Sequence, residues 1–344
     1  MSPYALMVFS SSLAAGSMIT MSSHHWMLAW LGLEVNALAI IPLMIKNPHP
    51  RAIEAATKYF LIQASASAML IFACTMNAWL TGEWAITSTT QSTPTNLLTI
   101  ALMMKLGVTP FHFWMPDVMQ GLTLTMGLIL STWMKLPPIT LLYQLTNALN
   151  LDLLLTMGIL STVVGGVGGI NQTQLRKILA FSAIAHLGWT TAILKFSPQL
   201  ALFNFITYML LTSTLFMTFS TLEAKNFSKL MSAWTKSPAL TSLTLLTLLS
   251  LAGLPPLTGF LPKWLITQEM MNQHLPLVIT AMLLFSLLSM FFYVRLAYTM
   301  FLTISPHTTL SMTSWLLSPK PLMATLITLS ILLTPLLPLI SPRM

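Results

Sequence analysis

Leu240-Thr241-Ser242-Leu243-Thr244-Leu245-Leu246-Thr247-Leu248-Leu249-Ser250-Leu251 is an apolar run without one charged residue, and it leads straight into Gly253-Leu254-Pro255-Pro256-Leu257-Thr258-Gly259. A strand of a membrane barrel would alternate apolar and polar residues over a short segment. This run is continuous, and similar runs recur from end to end of the 344 residues. In lipid every backbone N–H and C=O must be paired within the protein, which leaves helices or closed barrels. The run therefore selects helices.

Composition agrees. The chain is 55% hydrophobic and 6% charged, against about 25% charged in a soluble domain. A surface so poor in charge cannot face water. The formal net charge of +8 does not come from a basic cluster interleaved with aromatics, so nucleic acid is excluded as a partner, and the positive residues are topology signals. One cysteine, Cys74, lies inside an apolar run. A disulfide framework, a cysteine zinc site and a cysteine-ligated iron–sulfur cluster within the chain are excluded. No basic n-region precedes residues 4–20, which are read as a retained first helix.

About eleven hydrophobic segments are expected, at 3–22, 25–45, 57–80, 96–114, 122–147, 150–170, 174–195, 199–220, 240–272, 276–303 and 322–340. The polar stretches near 46–56, 81–95, 221–239 and 304–321 are too short for a soluble domain. If the loops alternate sides, one face receives Lys46, Arg51, Lys58, Arg176, Lys177, Lys225, Lys229, Lys236 and Lys320, and the other only Lys195 and Arg343. A wrong helix count would scramble that asymmetry. The N-terminus is placed on the positive side and the C-terminus opposite.

Segments four and nine are interrupted, by Lys105-Leu106-Gly107-Val108-Thr109-Pro110 and by the Gly253–Gly259 stretch. Proline removes a backbone donor and clashes with the preceding turn, so both helices should break. Broken helices in corresponding positions point to inverted repeats around an ion pathway. The two breaks stand five spans apart, and an odd offset reverses orientation in the membrane. The expected fold is an all-α polytopic membrane protein with two inverted five-helix repeats, 1–147 and 148–303. A loop and a C-terminal transmembrane helix follow in 304–344.

Four charges lie well inside the segments and carry the argument: Glu34, Lys105, Lys135 and Lys263. Each costs about 2.5–3.5 kcal/mol at the centre of a span on insertion scales, so they should face the bundle interior, pair, or line water. The competing reading is that lysines snorkel to the interface. For Lys105 and Lys135 the segment ends lie about 15 Å away at helical rise, beyond a side chain's reach, whereas the break leaves the depth of Lys263 open. Glu34 can also be read as a purely structural partner of a lysine. The chemical reading follows from opposing influences. Burial works against an ammonium, and a nearby carboxylate works for it. A lysine held between the two loads and releases a proton when a neighbour moves, a task to which a permanently ionised arginine is poorly suited.

Two histidines extend the set. His112 follows the first break, and His186 lies mid-helix in Ser182-Ala183-Ile184-Ala185-His186-Leu187-Gly188-Trp189. Under the repeat, His186 takes the role that Glu34 has in the first half; the alternative is a hydrogen-bonded structural histidine. His24 and His25 read as interfacial, and Arg295 as a structural or end-anchoring charge. Gly165-Gly166-Val167-Gly168-Gly169 lacks the Lys-Ser/Thr of a phosphate loop and reads as close helix packing. The 26 methionines and ten tryptophans read as packing and interface belts.

Three stretches carry a resemblance. They are Leu106-Gly107-Val108-Thr109-Pro110-Phe111-His112-Phe113-Trp114-Met115-Pro116-Asp117, Leu175-Arg176-Lys177-Ile178-Leu179-Ala180-Phe181-Ser182 with Ala185-His186-Leu187-Gly188-Trp189, and Leu251-Ala252-Gly253-Leu254-Pro255-Pro256-Leu257-Thr258-Gly259-Phe260. Together, and with Lys rather than Glu at 263, they resemble the subunit 2 family of NADH–ubiquinone oxidoreductase. The third alone is similar to sister subunits and cation/proton antiporters. The resemblance implies an antiporter-like subunit in the membrane arm of respiratory complex I, with proton-relay roles at Glu34, Lys105, Lys135 and Lys263. It implies the shortened animal form and the mitochondrial inner membrane, with the positive face toward the matrix. Flavin, iron–sulfur clusters and ubiquinone sites would lie in other subunits, with no cofactor or metal in this chain. The implied partners are the neighbouring antiporter-like subunit, small membrane subunits, lipids such as cardiolipin, and protons with internal water. An autonomous Na⁺/H⁺ antiporter and a structural spacer with vestigial charges remain rival readings.

Overall fold

The computed structural model describes residues 2–89, 91–302, 324–328 and 330. Among these the chain is helical, with two isolated antiparallel bridges, His25 to Ala85 and Gln174 to Asn226, as its only extended pairing. It divides into two compact units at Leu160/Ser161.

The first unit contains α1 (Pro3–Ser22), α2 (Trp26–Met44), α3 (Pro50–Thr81), α4 (Ser92–Leu106), α5 (Trp114–Gly121), α6 (Leu124–Ser131), α7 (Leu136–Gln144) and the start of α8 (Leu151–Ile170). Helix starts follow local chemistry. Proline occupies the first turn of α1, α3 and α7, where its missing N–H costs nothing. His25 and His49 act as N-caps, each Nδ1 accepting from the backbone N–H two residues on, Met27 at 3.2 Å and Arg51 at 3.3 Å. His25 also stacks on Trp84, so the histidine read as interfacial holds the turn between α2 and the end of α3.

Helix α3 has 32 residues, about 48 Å at helical rise, against an apolar bilayer core of about 30 Å. Its charges, Arg51, Glu54 and Lys58, all fall in the first three turns, so the surplus length projects at that end. The expected polar stretch 46–56 is therefore helical from Pro50 onward.

The first expected break is present. Helix α4 stops at Gly107, whose φ of 75° is left-handed, and the Val108 N–H donates to the Met103 carbonyl at 3.1 Å. Phe111 N–H then donates to Val108 O at 2.9 Å, and α5 begins at Trp114. The fifth expected segment, 122–147, is not one helix. It is cut into α6 and α7 by a 3₁₀ turn, Trp133–Lys135. The cause is Pro137-Pro138, which cannot supply the N–H groups that would continue α6.

The second unit holds the rest of α8, α9 (Leu175–Ile193), α10 (Pro198–Thr221), α11 (Phe227–Met231), α12 (Ala233–Lys236), α13 (Pro238–Ala252), α14 (Phe260–Asn272) and α15 (Pro276–Leu302). Its break repeats the first in detail. Gly253 has φ 87°, Leu254 N–H donates to Leu249 O at 3.4 Å, and Leu257 N–H donates to Leu254 O at 2.9 Å. The glycine-rich stretch in α8 is packing. A Cβ on Gly165 or Gly168 would strike Ala185 or Phe181 of α9, and one on Gly166 or Gly169 would strike Leu288 or Phe292 of α15. Arg295 donates from Nη1 to the Ile170 carbonyl at 2.7 Å and lies over the Phe227 ring. It therefore closes the C-terminal end of α8, as its reading as an anchoring charge required.

Six of these helices are long and apolar enough to cross a bilayer: α1, α2, α3, α8, α10 and α15. The expected spans at 96–114, 122–147 and 240–272 are assembled from shorter pieces on either side of an interruption. The expected span 322–340 falls mostly outside the described residues.

Candidate proton-handling site

In the first unit, α2, α3, α4, α5 and the α6–α7 interruption converge on one interior cavity with about 20 Å³ for water centres, enough for one or two waters. Its polar lining is Asn36, Tyr59, Gln63, Trp114, Lys105 and Lys135. Lys105 is 6% exposed and Lys135 3%, so neither snorkels.

Both lysines stand where a helix stops. Lys105 is in the last turn of α4, and its own carbonyl accepts from Gln63 Nε2 at 3.4 Å. Lys135 ends the 3₁₀ turn before α7. A cation at a helix C-terminus meets the negative end of the macrodipole, which favours Lys105 at this position. Glu34 bears electrostatically on both Lys105 and Tyr59, yet Glu34 Oε2 and Lys105 Nζ make no hydrogen bond within the protein. Polar groups that interact across more than a hydrogen-bond length beside a cavity are suited to bridging water.

Asn36 reaches this cavity because α1 and α2 cross closely. A Cβ on Gly16 would meet Asn36 Oδ1, and one on Gly32 would meet the Gly16 carbonyl at 2.8 Å. Two glycines thus bring a buried amide, 2% exposed, to the wall of the lysine site.

His112 is buried beside Phe113 but does not line this cavity, so the structure does not bring it to Lys105. In the second unit Lys263 folds back over the break. Its Nζ donates to the Ala252 carbonyl at 3.3 Å and lies against Gly253. His186 is 6% exposed, and its ring centroid is 5.3 Å from that of Tyr208, itself fully buried. Tyr59, Gln63, Trp114 and Tyr208 were not singled out in the sequence. Tyr59, Gln63 and Tyr208 are isolated polar-tipped residues in apolar runs with no motif to mark them, and Trp114 stands in the Leu106–Asp117 stretch without a charge or titratable group to single it out.

The bundle, its two glycine-stopped helices and its buried lysines define the antiporter-like class of membrane subunit. The family model described as "NADH:quinone oxidoreductase/Mrp antiporter, TM" matches residues 23–289, and "NADH dehydrogenase subunit 2 C-terminus" matches residues 290–341. The chain is 54% identical to NADH-ubiquinone oxidoreductase chain 2 of Aquarana catesbeiana over 340 residues, 98% of each chain. It is 53% identical to that of Salmo salar, over 98% of this chain and 97% of the relative. The chain belongs to the NADH-ubiquinone oxidoreductase chain 2 family.

Among solved structures it resembles a chain of respiratory complex I from Thermus thermophilus with bound aureothin. The TM-score is 0.84 and the identity 26%, covering 98% of this chain and 80% of that one. A chain of an archaeal membrane-bound sulfane sulfur reductase shares the fold at TM-score 0.80 and 18% identity, covering 94% and 72%. The protein is thus a multi-pass membrane subunit of NADH:quinone oxidoreductase, and its partners are other subunits of that complex.

Proposed function

We propose that the chain relays protons across the mitochondrial inner membrane along Glu34, Lys105, Lys135 and Lys263, with His112 and His186 as accessory groups. Electron transfer from NADH to ubiquinone, and its flavin, iron–sulfur and quinone sites, belongs to other subunits. The observation that carries the reading is that Lys105 and Lys135 line one buried, water-sized cavity with the Glu34 charge acting on Lys105. Moving one charge against the membrane potential costs about 2.3 kcal/mol per 100 mV, so the work must arrive from neighbouring subunits.

The inverted repeat is part of this proposal, with the boundaries 1–147 and 148–303. Two matches support it. The Trp26 N–H donates to Trp84 O beside the His25–Ala85 bridge, and the Leu175 N–H donates to Lys225 O beside the Gln174–Asn226 bridge. The turns after Gly107 and Gly253 use the same hydrogen-bond pattern. Counted from the bridges, Glu34 aligns with Ala183, and His186 falls one turn further along the same face of its helix. Each then has a buried tyrosine on the next helix, Tyr59 for Glu34 and Tyr208 for His186. In the proposed topology the N-terminus and the positive face are in the matrix and the C-terminus is in the intermembrane space. The neighbouring antiporter-like subunit, small membrane subunits and cardiolipin complete the surroundings.

The test is to change Lys105 or Lys263 to Ala in the assembled complex. Coupled pumping and quinone reduction should fall at least tenfold with assembly retained, and full pumping by both variants would remove the proposed roles. Ion exchange by the purified chain alone in liposomes would instead support an autonomous antiporter. Unchanged pumping stoichiometry with Glu34, Lys105, Lys135 and Lys263 all neutralised would support a spacer.

A further inference from the structure

A second, larger space is walled by two of the helices that wall the lysine cavity. Arg51, Glu54, Ala55, Lys58, Asp117, Gln120 and Gly121 line a surface cleft of about 230 Å³ between the start of α3 and the outer face of α5. Lys58 Nζ sits 2.7 Å from Glu54 and 3.0 Å from Asp117, so it ties the two helices at the projecting end of α3.

The same two helices wall the lysine cavity from the other side. Tyr59 follows Lys58 on α3, and Trp114 stands one turn before Asp117 on α5. Their rings meet edge to face, with centroids 5.7 Å apart. Tyr59 is 2% exposed and Trp114 5%, both line the inner cavity, and the Trp114 Nε1 has no hydrogen-bond partner in the protein. Lys105 Nζ, equally unpartnered, lies in the same space.

We propose that the Tyr59–Trp114 ring pair is a closed gate between the outer cleft and the Lys105/Lys135 cavity, latched from outside by Lys58–Asp117. Water and protons from the positive face reach the lysines only when Trp114 swings aside. The proposal rests on the relay reading for its purpose, though not for its geometry.

The local construction permits that swing. Helix α5 has eight residues, follows the turns after Gly107 and ends at the extended Leu122. Its C-terminal end is pinned, because a Cβ on Gly121 would lie 2.5 Å from the Arg51 carbonyl oxygen. The Trp114 end is backed by Gly107, where a Cβ would press on the indole at 3.1 Å. A short helix held at one end and latched by an exposed ion pair moves chiefly at the other end. An exposed pair is a weak latch, which suits a contact that must open in each cycle.

The experiment is cysteine accessibility in the assembled complex. Gln120→Cys reports the outer cleft and Met134→Cys the inner cavity. Each is exposed to a charged, membrane-impermeant thiol reagent added from the positive side, and modification is followed by mass spectrometry. Gln120→Cys should react quickly and Met134→Cys at least tenfold more slowly. Adding Trp114→Ala should raise Met134→Cys labelling at least tenfold, and Trp114→Phe should restore the slow rate. Where Trp114→Ala does not assemble, Lys58→Met loosens the latch without touching the core and should also raise it. Labelling of Met134→Cys as fast as Gln120→Cys with native Trp114, or rates unchanged by opening the gate or latch, would overturn the proposal. Pumping that survives loss of Lys105 and Lys263 overturns the relay and leaves these labelling rates as they are, so the two failures can be told apart.

Discussion

Asp117 and Lys263 stand at the same step after their left-handed glycines, Gly107 and Gly253, each behind a proline (Pro116, Pro262) at the start of the helix that resumes the span. The two positions carry opposite charges. Asp117 points outward to Lys58, and Lys263 folds inward onto the Ala252 carbonyl. A glycine is required at both stops, because an L-residue in the left-handed region costs about 1–2 kcal/mol.

Gly253→Ala adds a second penalty, since its Cβ would lie 3.1 Å from Lys263 Nζ. Gly82 also has positive φ, 76°, yet nothing lies within 4 Å of its would-be Cβ. Gly82→Ala should therefore cost about 1–2 kcal/mol of stability from backbone strain alone, with quinone reductase activity kept per assembled complex. Gly253→Ala should lose several-fold in activity as well, because the ammonium is displaced from its helix end. Activity normalised to assembled complex separates the two, and equal effects would contradict the placement of Lys263.

Glu34→Gln tests the electrostatic link without changing shape. The carboxylate acts on Lys105 through space rather than through a hydrogen bond, so an isosteric amide should preserve packing and assembly. Proton pumping should drop about tenfold, corresponding to 1.4 kcal/mol in barrier height, and Glu34→Asp should recover part of it. Pumping measured by a pH-sensitive dye in coupled membranes reads the effect. A Gln variant that pumps normally would make Glu34 a structural residue.

Arg295 serves stability. Its bond to the Ile170 carbonyl at 2.7 Å is charge-assisted and half-buried, a type whose loss costs about 1.5–3 kcal/mol. Arg295→Met should lower the thermal midpoint of the assembled complex while leaving activity per complex near native. Arg295→Lys should fall between, because an ammonium can donate to the carbonyl but stacks poorly on Phe227.

The breaks were legible because proline and glycine act locally. Pro110 and Pro255-Pro256 mark breaks in a single sequence, and the structure breaks both helices there, with left-handed Gly107 and Gly253 as the stops. The burial of Lys105 and Lys135 was legible because a charge in an apolar run has few places to go. The interruption before Lys135 was missed although Pro137-Pro138 signals it, since 122–147 is long enough to read as one span. What the sequence could not supply is which polar groups share a cavity. Tyr59, Gln63 and Trp114 come together with Lys105 only through the packing of α3 against α4 and α5. His112 sits close to Lys105 in sequence and yet lies outside that cavity. Periodicity specifies a helix face, whereas shared space depends on how the faces meet.

The α1–α2 crossing shows that dependence most directly. Without a hydrophobic force between helices in lipid, close backbone approach through small residues holds them. A Cβ on Gly16 would lie 2.9 Å from the Gly32 carbonyl, and one on Gly32 would lie 2.8 Å from the Gly16 carbonyl. Neither backbone atom can step aside as a flexible side chain would. Gly16→Ala and Gly32→Ala should each force the helices apart at a cost of about 1–3 kcal/mol. Gly16→Ala should also push Asn36 out of the lysine cavity wall. Both variants should lose assembled complex on native gels, and Gly16→Ala should additionally lose activity per complex. Ala14→Val, on the exposed face of the same helix, should change neither. If Gly16→Ala assembled and worked as well as Ala14→Val, the close crossing would not be what carries Asn36 to the site.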